Sequence, residues 1–368
     1  MKMIRHILLF ATGIAALCSC SGTGDGGSST PDVKSLVLQT STTVIEADGT
    51  DAVQFTVLAD GVPVTEDVRF YDGATNQPLD LSSWQFSTTT PGRYYFWAAY
   101  GTAHTQIVTI NAVDFELPEL PDDPAPDSTS FTRRVLLTQF TGTGCGWCPG
   151  MITILRNILS DENYADKVIH TAAHTYNTDD PAFLVQRLNQ SMGVSGYPTV
   201  VTDMRFSTNN YLNEVYTRNI IDQAYEREPA KAGLAVATSY DSESLAVLVS
   251  VKAAEEAEFK VGAWVLEDGI YGVQANYGGW EGDYNTHDNC IRYCDGQNSN
   301  IDFTGFSVGT LVPGQTSEYV FTIDLDPKWV LDNCHVVVFV TTSDGVAYSV
   351  NNAVDVPLGG SKAFEYAE

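Results

Sequence analysis

Val135-Leu-Leu-Thr-Gln-Phe-Thr-Gly-Thr-Gly-Cys145-Gly-Trp-Cys148-Pro-Gly-Met151-Ile-Thr-Ile-Leu-Arg-Asn-Ile-Leu159 is the stretch from which the fold is read. Its first six residues form an apolar run that predicts a strand, and Met151, Ile154, Leu155, Ile158 and Leu159 recur at helical spacing. The two cysteines fall at the junction. A thiol placed there lies beside the unpaired N–H groups and the positive dipole end of the helix, which stabilise its thiolate. Cys145 is therefore the expected attacking thiol, and Cys148, about one turn in, the resolving one. Pro149 is tolerated in a first helical turn, where an N–H would have no intrahelical partner.

Outward from this segment, residues 168–173 read as a second strand. Asp180-Pro181 sets up an N-cap and N1 proline for a helix ending near Gly193. Residues 199–202 read as a short strand and 210–227 as an amphipathic helix. This alternation over 131–228 predicts an α/β unit. Period-2 runs over 229–368 predict a C-terminal β-sandwich. Short β-type runs between Asp-Gly turns over 33–113 predict an N-terminal sandwich that resembles immunoglobulin-like modules of envelope lipoproteins. Residues 114–130, opening DFELPELPDDPAPD, are proline-rich and acidic without a basic residue up to Asp127, and predict an exposed, extended linker.

With 46 acidic against 19 basic side chains and a net charge of -27, the chain would be repelled by nucleic acid, which excludes that function. Lys2 and Arg5 precede an apolar run at 7–17, too short to span a bilayer and fitting a signal peptide. Leu17-Cys18-Ser19-Cys20 looks like a bacterial lipobox. It implies removal of residues 1–19, diacylglyceryl modification of Cys20, a Gly/Ser/Thr-rich tether at 20–32, and an outer-membrane location on either face.

Cys145-Gly146-Trp147-Cys148-Pro149, preceded by Phe140 and followed by Gly196-Tyr197-Pro198-Thr199 just before a strand, resembles the thioredoxin superfamily. The resemblance implies a thioredoxin-like fold for 131–228, a cis Pro198, substrate contacts at Trp147, Tyr197 and Pro198, and a redox-active Cys145–Cys148 disulfide. At Gln139 the chain departs from the family, whose reductases usually carry a buried carboxylate there. Residues 131–368 as a whole resemble the outer membrane protein 28-related lipoproteins, through the segment leading to CGWCP, the Gly-Tyr-Pro loop and Val336-Val337-Val338-Phe339-Val340. The functional expectation is a lipid-anchored envelope thiol–disulfide oxidoreductase, acting on protein thiols or disulfides without cofactor. The alternative is a non-catalytic surface lipoprotein that binds protein or glycan around a vestigial thioredoxin-like core.

Three other signals lie outside this motif. His170 and His174 follow the CxxC at HxxxH spacing, but strand ends lie too far apart for one metal, so no metal site is expected. A second disulfide would come from Cys290, Cys294 and Cys334; a bridge from Cys290 or Cys294 to Cys334 fits best, the choice staying open. Tyr271, Tyr277, Trp280 and Tyr284 sit among glycines in a segment read as a loop covering the sandwich edge, with a ligand platform as the sharper reading.

Overall fold

The computed structural model describes residues 33–184, 187–294 and 303–367. Cys20, its preceding segment 1–19 and the tether 20–32 lie outside the described residues.

The 33–113 region forms two facing sheets. One pairs Leu36–Thr40, Val53–Ala59 and Val62–Val64; the other carries Val108–Val113, Gly92–Tyr100 and Val68–Asp72. Alternate residues of Val53–Ala59 turn inward, so Val53, Phe55 and Val57 meet Phe70, Phe96 and Ile110 in one core. That alternation is why an Asp-Gly-punctuated sequence settles as a small sandwich.

The central architecture differs from expectation in one respect. A nine-stranded sheet runs in the order Phe206–Thr208, Thr199–Thr202, Val135–Thr141, Val168–His174, Cys290–Tyr293, Ala257–Glu267, Cys334–Ser343 and Tyr348–Pro357, with Phe306–Leu311 also on Ala257–Glu267. Residues 131–228 and 229–368, read from sequence as separate units, thus share one sheet. The join is a short parallel contact, Ala172 beside Cys290, which leaves no local periodicity to read.

The rest of 229–368 supplies a four-stranded sheet of Thr316–Asp324, Ser244–Ala253, Ala232–Tyr240 and Ser361–Lys362. Period-2 alternation directs Val261, Ala263 and Val265 toward it, against Val236, Val247 and Val249. It directs Trp264 and Leu266 to the opposite face, into one cluster with Phe140, Leu184 and Leu188. Both faces of Ala257–Glu267 are covered, which explains its nearly continuous burial. The Cys148–Leu159 helix lays Met151, Ile154, Leu155 and Ile158 on Leu137 and Val200. Of the helix expected from Asp180, the described residues hold Arg187–Ser191, and Asp180 Oδ1 accepts the Ala182 N–H at 2.8 Å in a turn.

The acidic 114–130 segment is docked rather than free. Phe115, Leu117 and Leu120 lie against Val44, Val113, Leu248 and Val320. Lys252, only 2% exposed, reaches Asp123 at 2.9 Å and the Pro126 carbonyl at 2.6 Å. Burial opposes ionisation of Asp123, but hydrogen bonds from Lys252 and Tyr366 outweigh it and lower the pKa. One buried cation from a distant strand thus supplies the countercharge that local sequence lacked.

Candidate functional site

Cys145 and Cys148 are bonded, with Cα atoms 5.4 Å apart, at the start of the Cys148–Leu159 helix. The loop between strand and helix is held from one side by residues 176–180. The Asp180 carboxylate accepts the Thr143 N–H at 2.6 Å, and Asn177 Oδ1 accepts that of Gly144 at 2.9 Å. A Cβ on Gly142 would stand 2.6 Å from the Tyr176 Cβ, so the approach requires glycine.

From the other side the aromatic segment packs on the loop that carries the disulfide. Ala275 N–H donates to the Thr143 carbonyl at 2.7 Å, and Tyr277 N–H to the Gly146 carbonyl at 2.8 Å. Between them the buried Gln274 amide reaches the Cys145 carbonyl at 2.9 Å and that of Thr143 at 3.1 Å. The Tyr277 ring lies directly on Gly146, where a Cβ would come within 2.2 Å of it, and Trp280 rests on Gly150 in the same way. The Trp147 ring stacks on Tyr211 at 5.8 Å and meets the edges of Tyr277 and Trp280. Under this cap Cys145 is 3% exposed and Cys148 fully buried. The aromatics themselves face out, Trp147 at 44% and Tyr277 at 71% exposure.

The Tyr197–Pro198 peptide is cis, and Thr199 pairs with Phe140, so the loop meets the strand that leads to Cys145. The Tyr197 hydroxyl is occupied by Thr175 Oγ1 at 2.9 Å and the Asn189 amide at 3.0 Å. That wiring makes Tyr197 a brace of the loop.

Cys290, Cys294 and Cys334 are not joined in the expected second disulfide; all three are buried thiols. Cys290 opens and Cys294 directly follows the Cys290–Tyr293 strand, and Cys334 opens Cys334–Ser343. Cys334 is pushed up to about 12, first by burial and then by Glu267.

Sequence reasoning missed a polar cluster beside the site. His174 donates Nδ1–H to Asp180 at 2.9 Å, and the Cys290 sulfur lies 3.6 Å from His174 Nε2. Burial alone would raise Asp180, but His174 and the N–H groups of Thr143 and Ala182 bring it to about 2. The order thiol, imidazole, carboxylate is that of an activated nucleophile. Cys290 is nevertheless wholly enclosed, and burial, reinforced by Asp180, raises its pKa well above the ordinary range, so the thiol stays protonated. No local spacing could have shown these three residues together. Among the described residues no group of three or more His, Cys, Asp or Glu side chains is placed to hold a metal ion.

A model of the family described as "Outer membrane protein Omp28" matches residues 185–362. The protein is located at the outer membrane. Among the described residues no helix is long and apolar enough to cross a membrane. No curated protein matches the chain. Among solved structures the chain is similar to HBP35 of Porphyromonas gingivalis, at 19% identity and a TM-score of 0.49, over 66% of this chain and 79% of that one. It is also similar to beta-glucosidase 3B from Thermotoga neapolitana in complex with glucose, at 13% identity and a TM-score of 0.18, over 39% of this chain and 19% of that one.

Proposed function

We propose that this chain is a non-catalytic, lipid-anchored protein of the outer membrane that binds a protein or glycan ligand on the aromatic surface around Cys145–Cys148. In this reading the core is thioredoxin-like, its disulfide has become a structural bond, and the immunoglobulin-like N-terminal sandwich spaces the body from an anchor at Cys20. One observation carries the reading: Cys145 and Cys148 are both buried, in a loop whose backbone is bonded by Ala275 and Tyr277. Disulfide exchange requires a thiolate to reach a sulfur, and burial of both cysteines, with Tyr277 on Gly146 and Gln274 on the Cys145 carbonyl, argues against such an approach. Gln139 adds to it, because an amide at that position cannot shuttle a proton as a carboxylate does. The same cap that closes the bond presents Trp147, Tyr277 and Trp280 outward, and flat aromatic faces suit sugar rings and peptide side chains alike.

The experiment is trapping in envelope extracts. Cys148→Ser would leave Cys145 free to hold a mixed disulfide. The closed-site reading expects no adducts from it, and loss of ligand capture from Trp147→Ala with Tyr277→Ala. Adducts through Cys145 would restore the oxidoreductase.

A further inference from the structure

Three segments distant in sequence meet at Trp147. Tyr211 stacks on its ring, and Trp280 lies 6.2 Å from Trp147 and 6.1 Å from Tyr211, nearly perpendicular to both. The Tyr277 ring covers Gly146 with one side and is otherwise open. Leu212, which follows Tyr211, is 76% exposed. An exposed cluster of large apolar groups with polar surroundings marks a contact surface.

The charge around these rings has one sign. Segments 142–153, 176–180, 208–214 and 271–284 hold Asp179, Asp180, Glu214, Glu281 and Asp283, and not one lysine or arginine. Asp180 is buried beneath Thr143, whereas Asp179, Glu281 and Asp283 are exposed. The cations closest in sequence are engaged elsewhere. The Arg156 guanidinium lies over the Tyr284 ring at 5.1 Å, Arg205 pairs with Asp344 at 2.6 Å, and Arg218 pairs with Asp161 at 2.8 Å and Glu214 at 3.3 Å.

The amides that could read sugar hydroxyls are committed inside the fold. Asn276 donates to the Trp280 carbonyl at 2.8 Å and accepts the Trp280 N–H at 3.1 Å. Asn177 bonds Thr143, Gly144 and Asp179, and Asn210 accepts the N–H groups of Leu212 and Asn213. Gln274 is buried on the Cys145 carbonyl. A small-ligand site fixes its occupant with a few placed polar groups; this face offers rings and carboxylates instead.

Given the ligand-binding reading above, on which this rests, we propose that the occupant is a protein segment carrying arginine or lysine between apolar side chains. Its cation lies over the open side of the Tyr277 ring, where the π face attracts positive charge, with Glu281 and Asp283 as countercharges. Its apolar side chains cover Trp147 and Leu212. The net charge of -27 on the whole chain draws such a segment in and repels acidic ones.

Fluorescence anisotropy of the full-length protein with a labelled peptide of four Leu-Arg-Ser repeats, and with the same peptide carrying uncharged citrulline for arginine, tests the assignment. The arginine peptide should bind roughly tenfold more tightly than the citrulline one. Glu281→Gln with Asp283→Asn should weaken it roughly threefold to tenfold. Tyr277→Leu, which keeps an apolar side chain and removes the ring, should shrink the advantage of arginine over citrulline. Glu256→Gln with Glu258→Gln, at the other end of Ala257–Glu267, should leave binding unchanged and so separates this face from the general attraction of an acidic protein. Equal affinity for the two peptides would overturn the proposal, as would the same loss from both carboxylate pairs. Binding of a neutral chitin hexasaccharide, lost in Trp147→Ala with Tyr277→Ala, without binding of the arginine peptide would also overturn it, while leaving the face a glycan site. Failure of the underlying reading shows separately, as Cys145 adducts in Cys148→Ser.

Discussion

The two sides of the Val135–Thr141 strand end are finished in opposite ways. At the loop, the main-chain groups of residues 142–146 are taken up by Asn177, Asp180, Gln274, Ala275 and Tyr277, and aromatic rings fill what remains. On the helix side, Gln139 Nε2 and Thr141 Oγ1 are buried without partners, in residues that line an open volume. The part of the sequence that announced chemistry is therefore closed, and the part that had lost its expected carboxylate is the one with room. A motif at the right junction establishes a local geometry; what the rest of the chain lays over it decides access.

The strongest way to break this contrast is to unseat the cap. Gly146→Val places a side chain into the Tyr277 ring and should cost about 1–3 kcal/mol as overpacking. The disulfide should then become reducible at denaturant concentrations that leave the wild-type bond intact. Unchanged reduction kinetics would mean the cap does not protect it.

Gln274→Ala sharpens the same point with less steric violence. It removes the amide that reaches the Cys145 and Thr143 carbonyls, and chemical denaturation should show a loss of about 1–3 kcal/mol. Retained stability would reduce Gln274 to a filler. On the open side Thr141→Val should act in the reverse direction, with a gain of about 1 kcal/mol by the same measurement, since no partner is lost. A loss would show that the hydroxyl is satisfied after all.

A pH effect concerns His335, which lies 2.7 Å from Asp355 and 3.7 Å from Asp268. Burial alone would lower its pKa, but the two carboxylates raise it to about 9. Because the folded value exceeds the unfolded one, the stabilisation is complete below about pH 6.5 and is lost as pH rises toward 9. His335→Gln should flatten the stability profile over that window.

Much of this was legible in the chain. The CGWC junction, the apolar stripe from Met151 to Ile158 and the strands of the N-terminal sandwich all rest on short-range periodicity, and they stand where that periodicity puts them. What escaped has a common cause. The Ala172–Cys290 contact that merges two units into one sheet, the Lys252 countercharge under the acidic segment, and the Asp180 carboxylate beneath Thr143 each join residues distant in sequence. Asp180 caps the Ala182 N–H as its helix-start signal suggests, while its other oxygen serves His174 and Thr143, which spacing does not show. The aromatic segment 271–287 was visible as a cluster. Its seat on Gly146 and Gly150 was not, because glycine spacing does not say what lies on it.

The central claim, that Cys145–Cys148 is a closed structural bond, is tested most directly by equilibrating the full-length protein against glutathione and reading the fraction oxidised. A buried, capped disulfide should stay oxidised to potentials below about −300 mV. A midpoint between about −120 and −270 mV, the range of working dithiols, would contradict it.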